Sequence, residues 1–198
     1  MLRQAQVSRG IAFRPHPVRI AAWSIVGLLL LAPAIAMRFT HEVQWTASDF
    51  IFAAVLLFGI GGAIEWVVRR TPDRAYRFGA GLALLAVLAL VWINGAVGLI
   101  GSEREPANRM YAVVLAIGVV GAALARLQAR GLSRTLVIMA AAQAIIGSVA
   151  LAMRWGTSGP IWPFDVLGLT VGFSGLFLTA ALLFGRSAAN AGSIAARD

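Results

Sequence analysis

The chain has 198 residues, 60% hydrophobic and only 13% charged, with 17 basic residues against 8 acidic and a formal net charge of +9. A soluble domain is nearer half apolar and a quarter charged, so a bilayer rather than a water-excluding core is the solvent that organises this fold. The sequence contains no Cys and no Lys. This removes disulfides, thiolate nucleophiles and thiolate metal sites, together with Schiff-base chemistry and a P-loop lysine.

A hydrocarbon core of about 30 Å needs about 20 residues of helix, and six apolar stretches meet that need. They are Ile20–Met37, Phe50–Val68, Gly79–Ile100, Met110–Leu127, Thr135–Met153 and Phe164–Phe184. The spacing predicts one all-α domain of six transmembrane helices over residues 20–185. A basic N-terminal segment (1–19) precedes it and a short tail (186–198) follows. Connections this short predict antiparallel neighbours and leave no room for a soluble domain.

The arginines set the orientation. Arg3, Arg9, Arg14, Arg19, Arg69, Arg70, Arg74, Arg77, Arg126, Arg130, Arg134, Arg186 and Arg197 fall on one side; Arg38, Arg104, Arg109 and Arg154 fall on the other. Short cytoplasmic loops carry the excess of arginine and lysine, so both termini are expected in the cytoplasm. The same rule explains the positive charge without nucleic acid, since no basic run is interleaved with aromatics. Arginines at headgroup level attract anionic lipid, and the expected contacts are Arg69, Arg70, Arg74, Arg77, Arg126, Arg130 and Arg134. Trp23, Trp66 and Tyr76 at inner ends, and Trp45, Tyr111, Trp155 and Trp162 at outer ends, form an aromatic belt.

The first stretch has a rival reading. It ends in Ala34-Ile35-Ala36, the small-residue pattern of a signal-peptide cleavage site, which would leave five helices. Ala36-Met37-Arg38-Phe39 resembles Ala152-Met153-Arg154-Trp155, and Asp49 and Asp165 follow at the same offset. The two hairpins therefore read as a candidate parallel repeat. Each Asp also stands at a helix N-terminus, where a carboxylate caps orphan N–H groups.

Three polar residues lie within the apolar stretches. Glu65 is a functional candidate by default, but Arg69 stands four residues on in the favourable order for an ion pair. Asn94 and Gln143 have the character of amides that tie helices together. A small-solute or ion path would need all three to converge. Their depths disagree, with Glu65 and Asn94 about 15 Å apart along the normal at 1.5 Å per residue. The Gly101–Arg109 loop concentrates charge, and Glu103, Arg104, Glu105 and Asn108 read either as a capped turn or as a docking surface. Gly168 and Gly172, with Gly59, Gly61, Gly62, Gly118 and Gly121, predict close helix contacts within the chain or with a partner helix. His16 and His41 both lie outside the apolar stretches, which removes intramembrane haem ligation through His. His41-Glu42 lacks metal-motif spacing. No catalytic cluster and no cofactor are expected.

Three runs carry a resemblance: Met37 to Phe50, Val91 to Glu103 continuing to Pro106-Ala107-Asn108, and Ala123 to Gly131 extending to Ala142-Gln143-Ala144. They are similar to a group of small polytopic proteobacterial inner-membrane proteins of uncharacterised activity. The resemblance implies an inner-membrane protein and supplies no activity. It marks Asn94, Glu103, Asn108 and Gln143 as part of the group's pattern. The expectation is a non-enzymatic membrane protein that packs with partner helices, as an assembly subunit or as its own oligomer. A small-solute or ion carrier using Glu65, Asn94 and Gln143 is the alternative.

Overall fold

A computed structural model describes residues 17–40, 44–157, 159 and 161–195. The readings attached to His16, His41, Glu42 and the arginines at 3, 9, 14 and 197 lie outside the described residues. Among the described residues there are six helices long and apolar enough to cross a bilayer, and no strand. They are α1 (Pro17–Phe39), α2 (Ala47–Arg70), α3 (Arg74–Ala96), α4 (Tyr111–Leu124), α5 (Ala129–Ala152) and α6 (Phe164–Ala195), with a 3-10 turn over Pro106–Met110. The protein is a multi-pass membrane protein of the all-α class.

The helices begin and end where local chemistry permits, not where hydropathy fades. Asp49 closes the start of α2: its carboxylate accepts from the Thr46 amide and hydroxyl at 2.7 and 2.8 Å, one half of a capping box, while the Asp49 amide donates to the Thr46 backbone carbonyl at 3.1 Å. Asp165 acts more locally and accepts from the Val166 amide at 2.7 Å. Asp73 accepts from the Ala75 amide at 2.8 Å, so α3 starts at Arg74, five residues before the apolar stretch does. It also ends early, at Ala96, because Gly98 adopts φ +78° and its amide turns back to the Ile93 carbonyl. α5 begins six residues before the expected Thr135. α6 continues helically to Ala195, through most of the segment expected to be a tail. Arg38 lies within α1, whereas its counterpart in the candidate repeat, Arg154, takes a left-handed turn at φ 57° after α5.

The chain divides into two compact units, Met1–Gly61 and Gly62–Asp198. In the first, Trp23 stacks on Phe58 with ring centroids 5.7 Å apart, and the same indole lies over Gly61. In the second, α6 packs on α5 and on α3, and α5 packs on α4. The order is therefore α3–α6–α5–α4. This differs from the expectation that a short connection makes neighbours: α3 and α4 follow one another in sequence without packing closely together. Leu90, Tyr111, Val114, Ala150 and Phe177 are buried at the centre. In lipid such contacts are held by van der Waals packing rather than by a hydrophobic drive.

Candidate functional site

The polar residues inside the bilayer zone make separate contacts. The Arg69 guanidinium donates to Glu65 Oε1 at 2.5 Å, so the expected pair along one face of α2 is formed. Asn94 donates to the Asn108 carbonyl at 3.4 Å, at the far end of α3. Gln143 is fully buried on α5, and neither of its amide atoms has a hydrogen-bond partner. One turn further along α5, Gly147 leaves the space that Thr170 of α6 fills, its hydroxyl also buried without a partner. The next turn of α6 brings Ser174, which donates to the Ala140 carbonyl at 3.3 Å. A polar seam thus runs along the α5–α6 contact, and Gln143 is its largest member. Glu65 bonds instead to Arg69, and Asn94 to Asn108.

The Gly101–Arg109 loop is built around one side chain. Asn108 Oδ1 accepts from the amides of Leu99 and Ile100 at 3.0 and 2.9 Å. Its Nδ2 donates to the carbonyls of Ile100 and Ser102 at 3.3 and 2.6 Å. The residue is buried, so it belongs to no docking surface: it replaces the helical hydrogen bonds that Leu99 and Ile100 lose when α3 ends at Ala96. Glu103 and Arg104 remain outside, paired at 3.5 Å with Arg104 91% exposed. An exposed pair of this kind contributes little to stability. Glu105 caps the 3-10 turn through its backbone, its carbonyl accepting from the Asn108 amide. Beneath the loop, Gly101 and Gly156 meet back to back with φ +69° and +77°; a Cβ on Gly101 would stand 2.7 Å from the Gly156 Cα.

The arginine-rich end has more structure than the sequence suggests. Arg77 donates to the carbonyls of Thr71 and Val68 at 2.6 and 2.8 Å and so closes the end of α2. Two of its guanidinium nitrogens are thus engaged within the chain. Arg70 lies over the Trp66 ring at 5.4 Å, a cation–π arrangement. Arg74, Arg126, Arg130 and Arg134 are exposed. Arg126 and Leu127 take φ 48° and 59°, a left-handed pair that turns the chain from α4 into α5. The Leu127 amide reaches back to the Ala122 carbonyl and the Arg126 amide to the Ala123 carbonyl, a Schellman closure made without glycine.

Because α3 and α4 stand apart, an apolar groove of about 490 Å³ opens between them. Ala80, Ala83 and Val87 of α3 form one wall, Leu115, Gly118 and Ala122 of α4 the other, and Leu136 and Met139 of α5 the floor. Trp66, Tyr76, Leu127 and Phe184 surround its arginine-rich end. The sequence reading missed this groove, because hydropathy does not encode which helices pack together.

The glycines separate into two sets. Gly118 lies against Met139, Gly121 against Thr135 and Gly147 against Thr170, where a neighbouring helix fills the space. Gly168, Gly172 and Gly175 have nothing within 4 Å of where a Cβ would stand. At 100° per residue they line one face of α6 with Thr179, opposite the stripe of Val166, Thr170, Phe173 and Phe177 that packs on the rest of the unit.

The described residues contain no group of three His, Cys, Asp or Glu able to hold a metal ion. Comparison with known proteins adds a partial likeness. The chain is 32% identical over 119 residues to the probable nitrate/nitrite transporter NarK2 of Mycobacterium tuberculosis, in strain CDC 1551 / Oshkosh and equally in strain ATCC 25618 / H37Rv. The match covers 57% of this chain and 28% of the transporter, so the chain spans just over a quarter of the length of the curated relatives it matches. No family model matches the chain, and no solved structure matches it significantly.

Proposed function

We propose that this protein is a non-enzymatic component of a bacterial inner-membrane assembly, with both termini in the cytoplasm, that docks a partner helix on the outward face of α6. The observation that carries this reading is the open stripe of Gly168, Gly172, Gly175 and Thr179. Small residues on a membrane helix let a second backbone approach closely. Elsewhere in this chain, at Gly118, Gly121 and Gly147, a neighbour occupies the notch. The α6 stripe has the same composition and lacks its neighbour. A second copy of the chain and a different subunit both suit it.

The chain has no Cys, so cross-linking starts from a clean background. Gly172→Cys in native membranes, treated with a short bismaleimide, should give a cross-linked species of discrete mass. Val120→Cys on α4 should not. A Gly172→Cys protein that cross-links no more than Val120→Cys would remove this reading. Reporter fusions after Arg70, Glu105 and Arg130 should read inside, outside and inside.

A second reading, a carrier of small solutes, draws support from the partial likeness to a nitrate/nitrite transporter and from the buried, unpartnered amide of Gln143. Liposomes holding the purified protein would then exchange nitrate or nitrite faster than empty ones, and Gln143→Leu would abolish the difference. Equal rates with and without the protein would count against it.

A further inference from the structure

The groove between α3 and α4 has a shape and a charge at its end that together define one occupant. It follows α3 from Tyr76 to Val91, a length of about 22 Å at 1.5 Å per residue. Along that length its lining is almost wholly apolar side chain, the surface that an extended hydrocarbon chain packs against. A single extended hydrocarbon chain fits it. The hydroxyls on its wall are already engaged: Thr135 donates to the Gly131 carbonyl at 3.1 Å and Tyr76 to the Leu127 carbonyl at 2.6 Å. The wall therefore offers an apolar occupant packing and gives a polar one little to bind.

Of the exposed cations at the arginine-rich end, two stand beside groove-lining residues, while Arg74 lies on the opposite face of α3 from Tyr76, Ala80 and Ala83, counting 100° per residue. Arg70 is one turn beyond Trp66 and Val67, on the helix face that lines the groove, and lies over the Trp66 ring. Arg126 immediately precedes Leu127, which lines the groove, and is held in a left-handed conformation. A non-glycine residue in that region costs about 1–3 kcal/mol and is retained where surrounding structure imposes it. Arg130 and Arg134 lie on the opposite face of α5 from Leu132, Leu136 and Met139, counting 100° per residue. Arg69 and Arg77 have partners within the chain.

We propose that the groove binds one acyl chain of an anionic phospholipid, whose headgroup phosphate is held by Arg70 and Arg126. This separates the arginines that attract a charged leaflet in general from the two that read a seated lipid. It does not rest on the α6 docking face, and each can fail without the other.

The test uses the full chain purified in detergent, with dioleoyl phosphatidylglycerol and dioleoyl phosphatidylcholine as probes, read by native mass spectrometry. The anionic lipid should be retained in preference to the zwitterionic one. Arg70→Gln and Arg126→Gln should each weaken its binding about fivefold, while Arg130→Gln with Arg134→Gln leaves it within about twofold. Ala83→Phe or Ala122→Phe, which fill the groove from facing walls, should abolish retention. Equal retention of the two lipids would overturn the proposal, as would equal losses in the two arginine pairs or undiminished binding by a folded groove-filled variant. If neither filled variant folds, brominated-chain phosphatidylglycerol decides the matter on the wild type. It should quench the protein's fluorescence more than the Trp66→Phe variant's; equal quenching overturns the proposal.

Discussion

The hydroxyl of Tyr76, in the first turn of α3, donates to the carbonyl oxygen of Leu127 at 2.6 Å across 51 positions of sequence. This bond ties the start of α3 to the left-handed turn between α4 and α5, two elements that do not otherwise pack closely. The Tyr76 ring meets Phe184 edge-on, with centroids 4.9 Å apart, so one side chain joins α3, α6 and the α4–α5 turn. Tyr76→Phe keeps the ring contact and removes the donor. It should lower stability by about 1 kcal/mol, the net worth of such a bond, measured by thermal unfolding in detergent. An unchanged midpoint would mean that the α4–α5 turn holds itself.

Asn108 offers a sharper test. Asn108→Ala strands two amides and two carbonyls in a buried loop, and a stranded buried group costs about 1–3 kcal/mol. Asn108→Asp keeps the acceptor but turns a second oxygen toward the carbonyls of Ile100 and Ser102, where Nδ2 now donates. The aspartate variant should therefore unfold no later than the alanine variant. Rescue by aspartate would show that Nδ2 contributes nothing.

A glycine in close backbone contact and one facing open space should respond oppositely to one added methyl group. Gly101→Ala places a Cβ 2.7 Å from the Gly156 Cα at φ +69° and should destabilise by several kcal/mol or prevent folding, given strain of about 1–3 kcal/mol from the backbone alone. Gly168→Ala meets open space within a helix and should stabilise the isolated chain by about 0.5–1 kcal/mol. The same change should weaken any association through α6. Loss of stability at Gly168 in the purified chain would place a neighbour on that face within the chain itself.

Glu65 and Gln143 separate structure from transport. The Glu65–Arg69 pair is partly exposed, and Glu65→Gln should cost only about 0.5 kcal/mol. Gln143→Leu removes a buried amide that has no partner, so stability should hold or rise, because its desolvation cost disappears. A fall of more than about 2 kcal/mol on Gln143→Leu, larger than a net hydrogen bond is worth, would mean that the amide is satisfied in the membrane.

The sequence carries the architecture openly, since bilayer thickness fixes the length of an apolar run and arginine marks its flanks. The pair of Glu65 with Arg69 was legible because it depends only on helical spacing. The role of Asn108 was not, because the amide bonds backbone that is helical by hydropathy and a loop in fact. Leu99 and Ile100 extend the apolar run of α3, yet Gly98 has already turned the chain. The helices also run past their apolar stretches, as Asp73 at the start of α3 shows: an interfacial turn can be polar and still helical when it is capped. The α3–α6–α5–α4 order, and the groove it opens, depend on contacts between distant segments that no local pattern encodes. The nearest local signals were the small residues Ala80 and Ala83 on α3 and Gly118 and Ala122 on α4. They face the same space from the two helices that stand apart.

The length of α6 has a mechanical meaning. Its 32 residues extend about 48 Å, while the hydrocarbon layer is about 30 Å deep. Roughly a third of the helix must stand in the headgroup region or in water, unless it tilts steeply. The embedded glycine face and the projecting turns around Asn190 are therefore parts of one stiff rod. Anything that grips or tilts the projecting end moves the glycine face by the same rotation, so an event in water reaches the middle of the bilayer without passing through a flexible joint.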